Sequence, residues 1–461
     1  MEAVAPSLFR AYDIRGVVGE TLTHASVEAI ARAFAAEAAA RGCDHVVIGR
    51  DGRLSGPELA AVLRAGLVNG GMRVTDIGAV PTPVLYLATV VLGTGTGIIL
   101  TGSHNPPDYN GMKMMIGGDT LAGEAIQRLR QRISDGEVAT GTGSVEEVAS
   151  MIDTYVERVR ADIHLARPLR IAIDCGNGIT GAVAPALFRA LGCDVHALYA
   201  EVDGHFPNHH PDPSRPENLA TLIDVVTREE RDIGLAFDGD GDRLGVVDSR
   251  GHIIWPDRQM ILFARSVLRD HPGASIVHDV KCSSHLAAAI KAAGGVPDMY
   301  KTGHSFIKAR LREIDAPLGG EMSGHIFFRD RWPGFDDGLY AGARLLELLA
   351  ADPRPSEDVF AELPDSVNTP ELNVAFAAEG AHFAFMERLS ERARFPGARS
   401  ILRIDGLRVD FDDGWGLVRP SNTTPTLVLR FEADSELALE RIQALFRDEL
   451  LALEPGLELP F

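Results

Sequence analysis

An approximate internal repeat constrains the fold of this 461-residue chain more than any other feature of its sequence. Each copy has a strand-like apolar run, a helix-like segment that stops at Gly, and then a second strand. The three copies begin near residues 45, 169 and 275. Strands that alternate with helices are typical of parallel sheets in α/β layers. We therefore expect three related α/β domains with mixed, largely parallel sheets.

A further strand in each copy ends in a polar loop that contains glycine. These loops are TGSHNP (101–106), DGDGDR (238–243) and GEMSGH (320–325). Ligands bind at the carboxyl ends of the strands in sheets of this kind. Three related domains can therefore each direct one loop toward a shared cleft.

The last part of the chain has a different pattern. Residues 351–370 are rich in proline and acidic residues, which predicts a linker. Short strands with period-2 patterning follow, and then an amphipathic helix near 435–452, so we expect a smaller C-terminal α+β domain with an antiparallel sheet. It carries a fourth loop, RPSNTTP (419–425). We predict four domains around one central cleft, at 1–148, 149–254, 255–366 and 367–461.

Composition excludes several classes of function. Asp and Glu (65) outnumber Lys and Arg (45), and a net charge of −20 repels nucleic acid and anionic lipid. The uncharged stretch 77–102 is long enough to cross a bilayer, but prolines and glycines interrupt it, so we predict a buried helix near 82–92 and a buried strand near 97–101. The four cysteines have no metal-binding spacing and the N-terminus has no apolar signal segment, which indicates a cytoplasmic chain.

Three carboxylates alternate with glycines in the loop 238–243. Asp238, Asp240 and Asp242 would repel one another without a cation, so a hard divalent metal with oxygen ligands is expected. An EF-hand is excluded because Arg243 and Ser249 occupy positions that require Gly and Glu. The competing interpretation is a solvated acidic turn.

The loop 101–106 places a hydroxyl group at the end of a strand. It is not a hydrolase nucleophile elbow, since Asn105 stands where that motif needs Gly. On its own, Ser103 is equally well interpreted as a turn residue beside a packed histidine. An acidic metal loop in the same chain favours a serine that accepts or carries a phosphoryl group.

The two remaining loops have the chemistry of ligand recognition. Arg419, three hydroxyl groups and the loop amides suit a phosphate, although a turn between strands is the alternative. Glu321, Ser323 and His325 offer the mixed donors and acceptors that read neighbouring sugar hydroxyls. A Gly-rich turn would explain that hexapeptide nearly as well.

Five motifs together resemble the α-D-phosphohexomutase family. They are AYDIRG (11–16), TGSHNPPDYNGMK (101–113), DGDGDR, GEMSGH and RPSNTTP, and they occur in the order of that family from residue 9 to about 425. Met322 and the NTT of 422–424 resemble the bacterial phosphomannomutase/phosphoglucomutase branch more than the phosphoglucosamine mutases.

The resemblance implies a role for individual residues. Ser103 would be the phosphoserine, and Mg²⁺ would be bound by Asp238, Asp240, Asp242 and a phosphate oxygen on Ser103. Around the transfer site the resemblance places Tyr12, Arg15, His104, Asn105, Lys113 and Arg243. Lys113 or His304 would act as general acid or base, and Lys113 as a base would need a lowered pKa. Substrate would contact Tyr12, Lys281, His304, Glu321, Ser323 and His325, and its non-reacting phosphate would contact Arg419, Ser421, Asn422 and Thr423.

The implied reaction is the reversible conversion of hexose 6-phosphate to hexose 1-phosphate, for mannose and for glucose, through a phosphoserine enzyme and a hexose 1,6-bisphosphate. Mg²⁺ would be the cofactor and the bisphosphate an activator. The partners would be small hexose phosphates, with no nucleic acid or membrane, and a monomer is expected with a dimer left open. The alternatives are a phosphoglucosamine mutase, a non-catalytic sugar-phosphate sensor and a metal-dependent phosphatase.

Overall fold

A computed structural model describes residues 4–378, 380–422 and 424–461 of the chain. These residues form four sheets. The first sheet is mixed, and its strands and helices are β1 (Ile14–Val17), α1 (His24–Ala40), β2 (His45–Arg50), α2 (Gly56–Asn69), β3 (Arg73–Ala79), α3 (Thr82–Val91), β4 (Gly97–Leu100), β5 (Tyr109–Ile116), β6 (Asp119–Thr120), α4 (Glu124–Asp135) and β7 (Ser144–Glu147). The predicted buried helix and strand of 77–102 are present as α3 and β4, and both are almost wholly buried.

The second and third sheets follow in chain order. The second comprises α5 (Met151–Asp162), β8 (Arg170–Asp174), α6 (Ala184–Ala190), β9 (Asp194–Leu198), α7 (Ala220–Arg228), β10 (Ile233–Phe237), β11 (Leu244–Asp248) and β12 (Ile253–Ile254). The third comprises α8 (Pro256–Asp270), β13 (Ser275–Asp279), α9 (Ser284–Ala292), β14 (Val296–Tyr300), α10 (His304–Glu313), β15 (Leu318–Gly320) and β16 (Ile326–Phe328). Two more helices, α11 (Gly338–Ala351) and α12 (Ser356–Ala361), precede the last sheet.

The internal repeat is visible as one strand order that occurs three times. The orders β5-β4-β2-β3, β11-β10-β8-β9 and β16-β15-β13-β14 are equivalent. In each, two strands pair in parallel with the central strand, and an antiparallel strand lies at the next position. The polar loop of each repeat joins β4 to β5, β10 to β11 or β15 to β16. The three loops therefore leave their sheets at equivalent points.

The fourth sheet is antiparallel, as expected. Its elements are β17 (Val367–Asn368), β18 (Leu372–Ala375), α13 (Ala381–Arg392), β19 (Ser400–Leu402), β20 (Leu407–Phe411), β21 (Gly414–Pro420), β22 (Thr426–Ala433) and α14 (Glu436–Leu453). The loop RPSNTTP connects β21 to β22. The fold class predicted from the sequence, three α/β units and a smaller α+β unit, is confirmed, while the domain boundaries stay a prediction.

The predicted linker at 351–370 is wrong for much of its length. Val359 and Phe360 of α12 are buried, and Ser356 Oγ donates to the carbonyl of Asp232 at 2.6 Å. Strand β17 pairs with β22. Proline and acidic residues suggested a solvated connection, but the apolar pair in SEDVFA packs against the second sheet unit.

Candidate active site

The four loops meet at one cleft of about 710 Å³. Residues from every loop face it, as the sequence predicted. The predicted site residues that line it are Tyr12, Arg15, Ser103, His104, Lys113, Arg243, Lys281, His304, Glu321, Ser323, His325, Arg419, Ser421 and Asn422. Thr423 lies outside the described residues. Of the four predicted metal-binding residues, Ser103 lines the cleft, and the carboxylates of Asp238, Asp240 and Asp242 lie beneath its surface, fully buried.

Ser103 lies three residues after the end of β4 and bridges the first two sheets. Its Oγ donates to Asp238 Oδ2 at 2.9 Å, across the boundary between the first two repeats. Its backbone has φ = 49°, a left-handed conformation that few residues other than glycine adopt. The backbone N–H donates to Thr101 Oγ1 at 2.8 Å. The serine hydroxyl is therefore held at the metal loop by backbone geometry as well as by its own hydrogen bond.

The carboxylates of Asp238, Asp240 and Asp242 converge, with one oxygen of each within 4.8 Å of the others. Each residue is 0% exposed. Among the described residues, Asp240 Oδ1 and Asp242 Oδ1 are buried without a hydrogen-bond partner. Burial and the charges of Asp242 and Asp240 raise the pKa of Asp238 well above its ordinary value. Three hard oxygen donors and two orphaned lone pairs fit a divalent cation.

Lys113, on β5, contacts the same carboxylates. Its Nζ donates to Asp240 Oδ2 at 2.7 Å and also to Asp242 Oδ2. Burial alone would lower the pKa of Lys113, but Asp240 and Asp242 outweigh it and the pKa is raised. Lys113 is therefore held as an ammonium group in this arrangement, which suits a proton donor. A role as a base, which would need a lowered pKa, stays a prediction.

Cationic and polar groups surround Ser103 on the open side of the metal loop. Arg15 donates to Asp13 Oδ2 at 2.6 Å and to the side chain of Asn105. Nδ1 of His104 lies 3.3 Å from Ser103 Oγ. Burial lowers the pKa of His104 well below its ordinary value, and the neighbouring Arg243, Arg15 and Lys113 lower it further. The arrangement can neutralise an anionic group on Ser103 while His104 stays uncharged.

The loop 320–325 places His325 beside the metal loop. Its Nε2 accepts a hydrogen bond from Arg243 Nε at 3.1 Å, and its Nδ1 lies 3.1 Å from Asp336 Oδ2. His304 Nδ1 lies 3.6 Å from the same Asp336 oxygen. Glu321 accepts a hydrogen bond from the backbone of Gly303. The two histidines and Glu321 thus form one polar wall of the cleft.

Arg419 lies at the opposite wall, at the end of β21. Its Nε donates to Asp405 Oδ2 at 2.8 Å, while Nη2 is buried and has no partner among the described residues. Ser421 accepts hydrogen bonds from Thr424 N and Thr424 Oγ1 at 3.2 and 3.0 Å. The buried His382 of α13 contacts the Ser421 carbonyl at 3.1 Å. A planar cation with a free donor, beside a tightly turned hydroxyl loop, can bind a phosphate.

Lys281 lies between these walls and reaches across to the fourth sheet. Its Nζ donates to Glu371 Oε1 at 2.5 Å. Glu371 is exposed enough to exchange partners, with 38% of its side chain accessible. A substrate oxygen could take its place at Lys281.

Several site residues were missed from the sequence. Thr82 donates to Asp240 Oδ2 at 2.5 Å. Asp336 contacts both histidines and accepts from Lys308 Nζ at 2.8 Å. These residues belong to segments without a motif, so only their tertiary contacts bring them to the site. Asp336 stands next to Asp337, which caps α11 by accepting from the backbone N–H of Tyr340 at 2.9 Å.

Models of the four domains of the phosphoglucomutase/phosphomannomutase family match nearly the whole chain. Alpha/beta/alpha domains I, II and III match residues 6–139, 152–251 and 255–367, and the C-terminal domain matches 370–449. A phosphomannomutase/phosphoglucomutase of Pseudomonas aeruginosa is 55% identical over 455 residues, or 99% of this chain and 98% of that protein. The chain belongs to this family. The predicted family, and with it the predicted isomerase class, are confirmed.

Other members of the phosphoglucomutase/phosphomannomutase family agree in sequence and structure. A phosphoglucomutase of Neisseria gonorrhoeae is 54% identical and covers 97% of both chains. The crystal structure of a family protein from Burkholderia thailandensis superimposes with a TM-score of 0.94 at 52% identity, covering 99% of this chain and 100% of that one. In the described part of this family member, no helix combines the length and apolar character needed to cross a membrane.

Proposed function

We propose that the protein interconverts hexose 6-phosphates and hexose 1-phosphates, with both mannose and glucose phosphates as substrates. One observation carries the proposal: Ser103 Oγ lies 2.9 Å from Asp238 at the edge of a cleft whose far wall is formed by Arg419. A phosphoryl carrier and a separate phosphate clamp thus face the same space. A mutase needs both, because one phosphate must be held while the other is transferred.

Ser103 would carry the phosphoryl group. In the first transfer the bond between Ser103 Oγ and phosphorus breaks, and a bond forms between phosphorus and the free sugar hydroxyl. The proton of that hydroxyl passes to a base in the cleft, and a proton returns to Ser103 Oγ. Lys113 would donate that proton, since its pKa is raised and its ammonium group lies beside Asp240 and Asp242. His304 is a candidate acceptor, because its Nε2 is buried without a partner among the described residues.

The acidic loop would hold Mg²⁺ through Asp238, Asp240, Asp242 and an oxygen on Ser103. When bound, the ion would offset negative charge on the transferring phosphoryl group. Arg15 and Arg243 lie on the open side of Ser103 and can bind the equatorial phosphoryl oxygens. With Ser103 unmodified, burial and the neighbouring Arg243 hold the pKa of His104 well below its ordinary value.

The sugar bisphosphate formed in the first transfer would then reverse its orientation. Arg419, Ser421 and Asn422 would bind either phosphate end in turn, while Glu321, Ser323 and His325 contact the sugar hydroxyls. This division explains why a hexose 1,6-bisphosphate should act as activator: it rephosphorylates Ser103 when the intermediate is lost.

Acceptance of both epimers follows from the modest contribution of one hydroxyl contact. Glucose and mannose differ only at C2, and a single such contact contributes about 1–3 kcal/mol. The catalytic efficiencies for the two sugars should therefore lie within about one or two decades of each other.

A coupled assay on mannose 1-phosphate, glucose 1-phosphate and glucosamine 1-phosphate, with Mg²⁺ and trace bisphosphate, tests the proposal. Activity on the first two, above that on the third, is expected. Dominant activity on glucosamine 1-phosphate would identify a phosphoglucosamine mutase. Release of inorganic phosphate without interconversion would identify a phosphatase, and no turnover with tight binding would identify a sensor.

We also propose a cytoplasmic location and a monomeric state for the protein. All four cysteines are unpaired in the structure, which suits the reducing cytoplasm. We expect a monomer, because the cleft is completed by one chain. Light scattering on the eluted protein distinguishes this from a dimer.

A further inference from the structure

One arginine outside the cleft lining makes the densest set of contacts with the phosphoserine loop. Arg53 follows β2 and is 1% exposed. Its Nη2 donates to the carbonyls of Ser103 at 2.9 Å and Asn105 at 2.5 Å. Its Nη1 donates to the carbonyls of Tyr109 at 2.9 Å and Pro106 at 2.5 Å. One guanidinium thus binds four carbonyls on one face of the loop 101–109.

Three neighbours fix the position of this guanidinium. Asp51 Oδ2 lies 3.3 Å from Arg53 Nε and also accepts from the backbone N–H of Gly102 at 3.0 Å. The ring of Phe206, from the second repeat, lies 5.2 Å from the guanidinium carbon. A Cβ on Gly102 would lie 2.2 Å from that same carbon. The guanidinium can occupy this place only because residue 102 has no side chain.

The loop 101–109, which Arg53 binds, contains one residue in an unfavourable backbone conformation. Ser103 has φ = 49°, which persists in a non-glycine residue only where surrounding contacts fix it. Its N–H is bound by Thr101 and its carbonyl by Arg53. In this conformation Ser103 Oγ meets Asp238. Loss of the carbonyl contacts would free the peptide to turn the hydroxyl away from the metal loop.

We propose that Arg53 is a positioning residue for phosphoryl transfer. It acts through the backbone carbonyls of 101–109, which hold Ser103 Oγ toward Asp238, and it does not itself contact substrate. This inference rests on the proposed role of Ser103 as the phosphoryl carrier. Arg53 differs in this from Arg15 and Arg243, which face the cleft and are proposed to bind the phosphoryl oxygens directly.

The test compares Arg53→Lys and Gly102→Ala with wild type in steady-state kinetics on glucose 1-phosphate and in hydrogen exchange. Lys cannot bind four carbonyls in a fixed plane, and the Ala methyl group would displace the guanidinium. For both variants kcat should fall about 30-fold or more, with KM within about threefold of wild type. Exchange of the amides in 101–109 should accelerate about tenfold, with little change elsewhere.

Arg344→Lys is the matched control. Arg344 is 5% exposed, pairs with Asp330 at 2.8 and 2.9 Å, and lies 4.2 Å from the ring of Phe328, away from the cleft. Its variant should unfold at a lower temperature while kcat stays within about twofold of wild type.

The proposal is overturned if Arg53→Lys keeps kcat within twofold of wild type. It is also overturned if Arg53→Lys accelerates exchange throughout the chain and leaves the loop no more affected than the rest. If Arg53→Lys does not fold, Gly102→Ala decides by the same criteria. A wild-type protein without mutase activity would overturn the proposed function instead, and exchange in 101–109 would still decide whether Arg53 holds this loop.

Discussion

The loops on the two sides of the cleft rest on different hydrophobic cores. The first three sheets share one continuous apolar core, which includes Val47, Phe237 and Phe328 from the three repeats. The fourth sheet has a core of its own, around Leu429 and Phe446. The Ser103 and metal loops therefore rest on a fused scaffold, and the phosphate loop rests on a separate one.

The contact between the two scaffolds combines one small apolar cluster with many polar contacts. Val280, Trp415 and Leu417 form its apolar part. Around them, Arg408 Nη1 donates to the carbonyls of Val280 and Cys282 at 2.7 and 2.8 Å. Polar interfaces of this kind permit relative motion more readily than apolar ones. If Ser103 carries the phosphoryl group as proposed, transfer chemistry occupies the fused scaffold, and the proposed phosphate clamp occupies the separate scaffold, which we expect to move.

Ser103→Ala should have the largest effect, because it removes the phosphoryl carrier itself. We expect kcat to fall about 10⁴-fold or more, even with saturating bisphosphate. Intact-mass analysis should show one phosphate on active wild type and none on the variant. Near-wild-type turnover of Ser103→Ala would show that Ser103 is not the phosphoryl carrier and that the first three sheets do not supply the transfer chemistry in this way.

Asp240→Asn should act on chemistry while binding is preserved. Loss of one charged ligand weakens the cation that offsets transferred charge, so kcat should fall about 10²–10³-fold, with KM changing only a few-fold. The Mg²⁺ concentration that gives half of the maximal rate should also be higher for the variant than for wild type. Asp248→Asn is a matched control: Asp248 is a buried carboxylate at the other end of β11, where it accepts from the N–H groups of Arg250 and His252.

A control that lowers kcat as much as Asp240→Asn would show that any buried carboxylate of the second sheet supports activity. An Asp240→Asn variant that changed only KM would contradict the assignment of chemistry to this wall.

The loops of the first three sheets could be predicted from the sequence, although the residues that support them could not. A strand followed by DGDGDR or TGSHNP is a local pattern, and the threefold repeat placed each loop at an equivalent strand end. The contacts of Arg53, Asp336 and Thr82 could not be predicted in this way. They join segments far apart in sequence, and each residue alone is indistinguishable from an ordinary buried polar group.

The segment 351–370 before the fourth sheet shows where composition gives a wrong prediction. Its composition predicted a solvated connection, yet α12 is anchored through Ser356, Val359 and Phe360. Composition averages over a segment, whereas two apolar side chains are enough to dock one helical turn. The raised pKa of Lys113 could not be predicted for a similar reason, since it depends on Asp240 and Asp242 from another repeat.

Arg419→Ala should act mainly on binding. Charge-assisted hydrogen bonds to a phosphate contribute about 1.5–3 kcal/mol, so KM should rise about 10–100-fold. A smaller fall in kcat is expected, because the gripped phosphate also orients the reacting hydroxyl. Arg419→Lys keeps the charge but loses the fork and should fall between wild type and Ala. An unchanged KM for Arg419→Ala would show that the loop of the fourth sheet does not bind the non-reacting phosphate.

Glu432→Gln should have the smallest effect on turnover and the most specific effect on how the two scaffolds dock. Glu432 Oε1 accepts from Trp415 Nε1 at 3.0 Å, and from Ser284 Oγ at 2.7 Å and Ser284 N at 3.1 Å on the third repeat. Gln removes one negative charge from this buried layer, while Arg430 keeps its ion pair with Asp257 at 3.1 Å. We expect a loss of about 1–3 kcal/mol in docking.

The pH dependence of that loss has a definite sign. Burial alone would raise the pKa of Glu432, but its hydrogen bonds to Ser284, Ser283 and Trp415 and the charge of Arg430 outweigh burial and lower it. A lowered folded-state pKa stabilises the protein above the ordinary value of 4.5, and that stabilisation disappears as the pH falls from there through the folded-state value. The difference between wild type and Glu432→Gln should therefore be largest at neutral pH and shrink in acid.

Hydrogen exchange resolved by peptide measures this prediction. In Glu432→Gln, amides of β20 and β21 should exchange faster while those of β4 and β10 stay at wild-type rates, because the two cores unfold separately. Glu37→Gln is the matched control: Glu37 is a buried glutamate of α1 that accepts from Arg41 Nη2 at 2.7 Å and Arg132 Nε at 3.0 Å. Its effect should be confined to α1 and α4. If Glu432→Gln instead accelerated exchange equally in all four sheets, the protein would unfold as one unit. The separate cores would then not make the fourth sheet an independent unit, and the comparison between the two scaffolds would fail.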